Sequence, residues 1–316
     1  MAASLPLSII APCYNEEAGL ALFVQRMCAA ASGLYGEQGY ELILVDDGSR
    51  DHSWSVMQGL MADHPAIVAV RLSRNHGHQI AVSAGLSRAS GERVLLIDAD
   101  LQDPPELLPL MVEKLDSGFD VVFGRRRSRA GESAFKLATA KFFYRSLAAL
   151  SDSEIPLDAG DFRLMSRRIV ERLNAMPERD RFIRGMVAWL GGRQTEVLYD
   201  RDARAAGKTQ YTLRRMVRLA TDGLTSFSTA PLRLASVLAG LGALVGVLLL
   251  LYALVGFFTG HATPGWTSLA LIVVFFSTAQ LLCLAIIGEY LGRTYMQSKG
   301  RPLFLIDEIR TGRDKD

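Results

Sequence analysis

The sequence predicts an α/β protein in which a mostly parallel sheet, with helices on both faces, is followed by a two-helix transmembrane hairpin. Two patterns carry that reading. Short continuous apolar runs alternate with amphipathic stretches over residues 7 to 124, as in a parallel sheet buried on both sides. Farther along, Leu234 to Gly260 and His261 to Gly288 contain no Asp, Glu, Lys or Arg, and each span exceeds the ~20 residues a helix needs to cross a bilayer.

The first strand is expected near Ser8 to Ala11 in "LPLSIIAPCYN", a stretch that reads as a strand ending at Pro12 and not as a signal peptide. A helical pattern begins at Glu16. The second strand, Glu41 to Val45, stops at "DDGS", and a helix follows from Ser53. A third strand is expected at Ile67 to Arg71, with a helix from His78. The fourth, Val94 to Ile97, runs into Asp98, Asp100, Asp103 and Glu106. Pro105 suits the first turn of a helix through Leu107, Leu108 and Met111. Asp103 is expected to cap that helix and Glu106 to be a solvated acid. The fifth strand is Val121 to Phe123.

Beyond it, "AFKLATAKFFYRSLAAL" and "YTLRRMVRLATDGLTSF" set apolar residues at helical spacing beside cations, as interfacial helices do. In the hairpin, Pro264 and Gly265 break the helix and Trp266 suits an interface. Gly242 with Gly246, and Gly256 with Gly260, have G-x-x-x-G spacing, which alone does not define a helix contact because glycine is common in membrane helices. Arg214, Arg215, Arg218 and Arg233 precede the hairpin and Arg293, Lys299 and Arg301 follow it, while the connecting loop has no such charge. Both flanks are therefore expected on the cytoplasmic side of the cell's inner membrane. The chain divides into a cytoplasmic α/β domain at 1–208, a juxtamembrane helix at 209–233, two membrane helices at 234–290 and a cytoplasmic tail at 291–316.

A net charge of +2 gives no case for nucleic acid. Cys13, Cys28 and Cys283 show no metal spacing and are expected as reduced thiols. "NHGH" reads as polar loop chemistry at the entry to a helix, not as a ligand pair.

Ligands of such folds bind beyond the strand C-termini. Pro12, Tyr14, Asn15, Glu16 and Glu17 follow the first strand, Asp46, Asp47, Gly48 and Ser49 the second, and Asp98 and Asp100 the fourth. Together they offer what a nucleotide needs: a slot for the base, carboxylates for base or ribose donors, and a place for a cation at the pyrophosphate. No G-x-G-x-x-G follows the first strand, and "DARAAGKTQ" has Asp202 where a Walker A loop needs glycine. A metal held by the Asp98 and Asp100 pair is then the remaining way to neutralise a diphosphate.

The motifs "APCYNEE", "VDDGS", "DADLQDPPE", "DAGDFRLMSRR" and "GEYLGRTYMQSKGRPLF" together resemble the polyprenyl-phosphate glycosyltransferases, family-two enzymes of GT-A fold. The resemblance runs over nearly the whole chain, and the two C-terminal membrane helices are similar to those of the bacterial subgroup. It implies that Pro12, Tyr14, Glu16, Val45 and Asp47 hold the nucleoside. It further implies that Asp98, Asp100 and Gln102, with the Ala99 backbone, bind Mg2+ or Mn2+ and the diphosphate, and that Arg126 and Arg204 contact phosphate. Where the family often has Lys in a G-x-S-K-Y loop, this chain has Gln210, and Lys208 is the substitute candidate. The implied reaction moves a sugar, glucose first by resemblance, from a nucleotide-diphosphate sugar to undecaprenyl phosphate, a polyprenyl phosphate of the lipid bilayer. A homotetramer is implied as well.

A phosphate monoester with a second pKa near ~6 is largely ionised at neutral pH and scarcely needs a base. The enzyme's tasks are alignment at the sugar C1 and stabilisation of the leaving diphosphate through the metal and Arg126. Asp158 and Asp161 of "DAGDFRL" are the candidates near C1. Asp161 is the preferred of the two, with pairing to Arg163 or Arg167 as its structural alternative. Two rivals are a processive polysaccharide synthase, whose Q-x-x-R-W motif is missing here, and a membrane protein that binds nucleotide sugars without turnover.

Overall fold

The computed structural model describes residues 5–127, 159–200, 230–259 and 265–313. Asp158, Arg204, Lys208, Gln210 and both basic amphipathic stretches lie outside them. Contacts divide the chain into two units, one holding the sheet together with residues from Pro302 onward and the other the two long helices.

In the first unit, β1 (Leu7–Cys13), β2 (Tyr40–Asp46), β3 (Ile67–Leu72), β4 (Arg93–Leu96), β5 (Val121–Arg126), β6 (Ala159–Ser166), β7 (Gln194–Tyr199) and β8 (Ile306–Thr311) form one eight-stranded sheet in the order β7-β5-β6-β4-β1-β2-β3-β8. Only β6 and β8 run against the rest, so the expected α/β, mostly parallel sheet is present. Every residue of β1 and β2 is buried, which is why their sequences read as continuous rather than alternating apolar runs.

Helices α1 (Leu20–Tyr35), α2 (Ser53–Asp63) and α4 (Leu108–Asp116) pack on the face presented by Leu7, Ile9 and Ala11. Burial of Leu20, Phe23, Val24, Met27, Cys28 and Ala31 gives α1 its helical spacing. Helix α3 (His78–Arg88) lies against the opposite face, where a Cβ at Gly85 would stand 2.3 Å from the Ile10 side chain. The helix thus approaches the sheet more closely than any larger residue allows. Helix α5 (Arg167–Ala175) is tied to α3 by Asn174 Nδ2, which donates to Leu86 O at 2.9 Å, and α6 (Ile183–Leu190) follows it.

Strand β8 is an element the sequence analysis does not contain. It pairs antiparallel with β3, and Arg313 extends the attachment by donating to Tyr40 O at 2.9 Å. Part of the segment read as a tail therefore closes the β3 edge, which would otherwise present unpaired backbone groups.

The second unit consists of α7 (Ala230–Phe258) and α8 (Trp266–Ser298). Within α8, Phe275–Ser298 is long and apolar enough to cross a membrane. Gly242 and Gly246 face one side chain of α8: Cβ atoms placed on them would lie 3.5 and 3.4 Å from the Phe276 ring. This G-x-x-x-G is thus a shallow seat for an aromatic ring.

Candidate active site

The loops leaving β1 and β2 are laced together. Asn15, in a left-handed conformation at φ 57°, receives Arg50 N on Oδ1 at 2.8 Å, and its own N donates to Ser49 Oγ at 3.0 Å. Glu16 N donates to Ser53 Oγ at 2.9 Å. Beside this lacing Tyr14 is 40% exposed, an aromatic face suited to stacking on a base. Gly48 joins the β2–α2 turn to the β3–α3 loop. At φ 66°, a Cβ there would lie 2.5 Å from the Arg74 carbonyl carbon, so the "DDGS" turn requires glycine.

Asp47 accepts from His76 N at 2.7 Å and Gly77 N at 2.9 Å, one bond to each carboxylate oxygen. It organises the loop that starts α3. Burial raises its pKa, opposed by those two N–H groups. Pro12 is buried and Val45 is fully enclosed, paired with Pro12 on one side and Val70 on the other.

The β4–α4 loop keeps Ala99 and Leu101 buried, with Leu101 left-handed at φ 60°. Holding a leucine there costs ~1–2 kcal/mol, and such strain persists only where the surroundings over-determine the conformation. Asp100 Oδ1 accepts from Gln102 N at 3.1 Å, and Gln102 is itself buried. Asp98 Oδ1 is buried with no hydrogen-bond partner. Burial, only partly offset by His78, pushes the Asp98 pKa up to about 6. A carboxylate oxygen in that state fits a hard divalent cation, which would satisfy it and reverse the penalty. Among the described residues no three His, Cys, Asp or Glu side chains group to hold a metal. The loop thus supplies one or two carboxylates, the number Mg2+ takes when substrate phosphates complete its shell.

Asp103 does not cap the following helix, which opens with a 3-10 turn at Pro105–Leu107 and has no side-chain cap. It is buried instead, accepting a hydrogen bond from Tyr199 Oη, with Arg126 Nη2 at 3.7 Å. The local Asp-Pro signal is overridden by a tyrosine on a strand far along the chain. Glu106 forms a two-pronged pair with Arg26 at 2.8 Å.

Asp161 is the centre of a cluster that sequence reasoning missed. Its partners are neither Arg163 nor Arg167. Arg163 is buried and donates to Gly160 O at 2.9 Å, and Arg167 donates to Ala89 O at 2.6 Å. Asp161 pairs instead with Arg184, Nε at 2.7 Å from Oδ1 and Nη2 at 3.1 Å from Oδ2. His78 Nε2 lies 3.1 Å from Asp161 Oδ2 and 3.6 Å from Asp98 Oδ1, and Gln79 Nε2 donates to Asp161 Oδ2 at 3.4 Å.

The reason is the register. Leu96 pairs with Arg163 across the antiparallel β4–β6 ladder, so continuing two residues sets Asp98 opposite Asp161. Like charges so placed repel, and His78 stands between them. Burial disfavours a charged His78, but the hydrogen bond to Asp161 and the charge of Asp98 more than reverse this and raise its pKa to about 9. Burial also opposes charge on Asp161, yet Arg184 and the His78 bond hold its carboxyl well below the usual range. His78 lay within the "NHGH" that sequence analysis set aside as loop chemistry. Nothing local marks Arg184.

A strand edge that offers an aromatic slot, an acid loop with an unsatisfied oxygen and two braced guanidiniums is suited to an anionic, nucleotide-linked donor. The chain belongs to glycosyl transferase family 2, whose profile residues 8–173 match, and it is accordingly a glycosyltransferase. It is 42% identical over 312 residues to an uncharacterized glycosyltransferase, YkcC, of Bacillus subtilis, covering 98% of this chain and 95% of that one. A bactoprenol glucosyl transferase of Shigella phage SfV is 35% identical over 306 residues, 96% of this chain and 98% of that one. The prophage bactoprenol glucosyl transferase homolog of Escherichia coli is 34% identical over 310 residues, 97% of this chain and all of that one. Among solved structures, glucosyl-3-phosphoglycerate synthase from Mycobacterium tuberculosis, in complex with Mn2+, UDP and phosphoglyceric acid, is 20% identical with a TM-score of 0.48 over 70% of this chain and 76% of that one.

Proposed function

We propose that the chain transfers glucose from UDP-glucose to undecaprenyl phosphate at the cytoplasmic face of a membrane, with inversion at C1, releasing the nucleoside diphosphate. The observation that carries this reading is the half-buried Asp98 carboxylate at the sheet edge, whose Oδ1 is enclosed, accepts no hydrogen bond and faces His78 Nε2 at 3.6 Å, between the nucleoside loops on one side and two guanidiniums on the other. Support for donor and acceptor comes from full-length relatives named bactoprenol glucosyl transferase.

Asp98 and Asp100 would hold Mg2+ or Mn2+, and the ion when bound neutralises charge developing on the departing diphosphate. Tyr14 and the laced loops seat the nucleoside. The acceptor phosphate arrives ionised, because its second pKa is near ~6. Asp161 then has no proton to remove; its oxygens engage Arg184 and His78, and it braces those cations. Asp158 is the remaining carboxylate candidate near C1.

The two flanks of the helical unit support a hairpin in the membrane. Residues before α7 and after α8 belong to one sheet, so both lie on the same side of a bilayer. If Phe275–Ser298 crosses, α7 must cross back. The arginines on those flanks favour the cytoplasmic side.

The test is mass spectrometry of lipid extracts after incubation of the full chain with undecaprenyl phosphate and separate UDP-glucose, UDP-N-acetylglucosamine and GDP-mannose. A hexosyl-phosphate lipid from UDP-glucose alone is expected. A lipid product from another donor only would reject the glucose assignment, and a lengthening glycan would favour a processive synthase.

A further inference from the structure

The loop from Asp98 to Gln102 runs directly into Asp103, and a partner of that carboxylate comes from across the sheet. Asp103 is buried, and Tyr199 Oη donates to its Oδ1. In the strand order β7-β5-β6-β4, Tyr199 closes β7 while the loop leaves β4, about 14 Å away at the usual strand spacing.

The sequence clears the way for this reach. β5 and β7 pair in parallel with Arg126 opposite Tyr199, and Gly124 stands two residues back on β5. A Cβ there would lie 2.8 Å from Tyr199 Cε1 and 2.6 Å from Phe162 Cδ1, so the ring takes the space a side chain on β5 would fill. Glycine inside a strand weakens it and marks such a close approach. The buried Tyr199 ring then meets Phe162 of β6 edge-on, with centroids 5.8 Å apart at 82°. Packed in this way, it carries its hydroxyl to Asp103. Arg126 Nε donates to Tyr199 Oη at 3.3 Å, which directs the hydroxyl proton toward the carboxylate.

What that hydroxyl holds is a loop under strain. Leu101 sits at φ 60° and, with Ala99 and Gln102, is buried; such a conformation persists only where the surroundings over-determine it. Beyond Asp103, Pro104 and Pro105 fix their own φ and lead into the 3-10 turn. The Asp98 to Gln102 segment is therefore pinned at one end by β4 and at the other by Asp103. Two carboxylates that share an ion with a diphosphate bind it more tightly when they are held in place beforehand.

We propose that Tyr199 is a positioning residue for the metal-binding loop: through Asp103, its hydroxyl holds Asp98 and Asp100 in the arrangement that a divalent ion and the donor's diphosphate use. Buried beneath the loop, it acts only through that carboxylate. This rests on the metal assignment to Asp98 and Asp100 proposed above.

The experiment is calorimetry of UDP binding to the full chain in detergent, with Mn2+ and again with EDTA, for wild type, Tyr199→Phe and Gly124→Ala. Phenylalanine keeps the ring on Phe162 and deletes only the hydroxyl; alanine keeps the hydroxyl and displaces the ring. A hydrogen bond to a charged group shifts an equilibrium by about tenfold or more, and a loop that much less populated in its competent form binds that much more weakly. The strain at Leu101 leaves the loop little reserve against that loss. Tyr199→Phe is therefore expected to lose about tenfold of the affinity that Mn2+ adds, with its Kd in EDTA within about twofold of wild type. Gly124→Ala should lose part of the same Mn2+ increment, and a melting curve accompanies each variant. A folded Tyr199→Phe that keeps the full increment, or whose Kd in EDTA rises as far as that in Mn2+, overturns the positioning role and leaves the metal assignment standing. If Tyr199→Phe does not fold, an unaltered increment in Gly124→Ala overturns the role instead. Wild type that gains no affinity from Mn2+ overturns the metal assignment and the positioning role together.

Discussion

Asp161→Asn separates bracing from chemistry. Asparagine keeps the shape and one oxygen for Arg184 but removes the charge that faces Arg184 at 2.7 Å and His78 at 3.1 Å. Breaking a buried ion pair from one side costs about 3–5 kcal/mol. Arg184 and His78 are 29% and 40% exposed, so water recovers part of their charge and about 3 kcal/mol is the working figure. For a domain of this size, each kcal/mol shifts Tm by about 2–4 °C, giving a fall of about 6–12 °C. Thermal unfolding of the purified chain in detergent, followed by near-ultraviolet circular dichroism, reads this beside kcat. The expected result is the lowered Tm with kcat retained within about tenfold. An unchanged Tm with kcat reduced about a thousandfold would refute the bracing argument and make Asp161 a participant at C1.

Asp100→Ala should abolish transfer in Mg2+ buffer while leaving the chain folded, with a loss of about 0.5–1.5 kcal/mol from the Gln102 N–Asp100 Oδ1 hydrogen bond; glycolipid yield and a melting curve check both. Gly48→Ala places a Cβ 2.5 Å from Arg74 at a positive φ, and should lower stability by about 1–3 kcal/mol and raise the donor KM, read by denaturant titration and initial rates. At Asp120, burial opposes charge, but the Arg193 N–H and Arg168 hold the pKa below its ordinary value of 3.8. Its contribution is therefore present above that value and lost as pH falls through the folded-state pKa. Asp120→Asn should flatten the loss of stability below about pH 4, measured by acid titration of the circular dichroism signal.

The central strands were legible because burial on both faces leaves an unbroken apolar run, and each of β1 to β5 overlaps the strand expected, with edges shifted by up to three residues. Strands β6, β7 and β8 were not. β6 threads buried Arg163 and Asp161 through the sheet, β7 opens on the polar residues Gln194, Thr195 and Glu196, and β8 carries Asp307, Glu308 and Arg310 along the sheet edge, so none shows an unbroken apolar run. The helix expected from Glu16 begins at Leu20, because Glu16 and Glu17 engage the neighbouring loop. At the site, the strand-end loops announced themselves through Asp, Gly and Asn, whose turn chemistry is local. Asp98 meets Asp161 through the antiparallel register of β4 and β6, and His78 and Gln79 on α3 and Arg184 on α6 reach it only by packing around β6, so no spacing along the chain encodes that meeting.

The central claim is that a nucleotide sugar gripped at the Asp98 loop is passed to a lipid phosphate. Incubating the chain with radiolabelled UDP-glucose and vesicles containing undecaprenyl phosphate, then extracting into chloroform, tests it directly. The account expects label in the organic phase, dependent on divalent metal and absent with Asp100→Ala. Label that stays in water as free glucose or intact donor, with wild-type protein and metal both present, would contradict it.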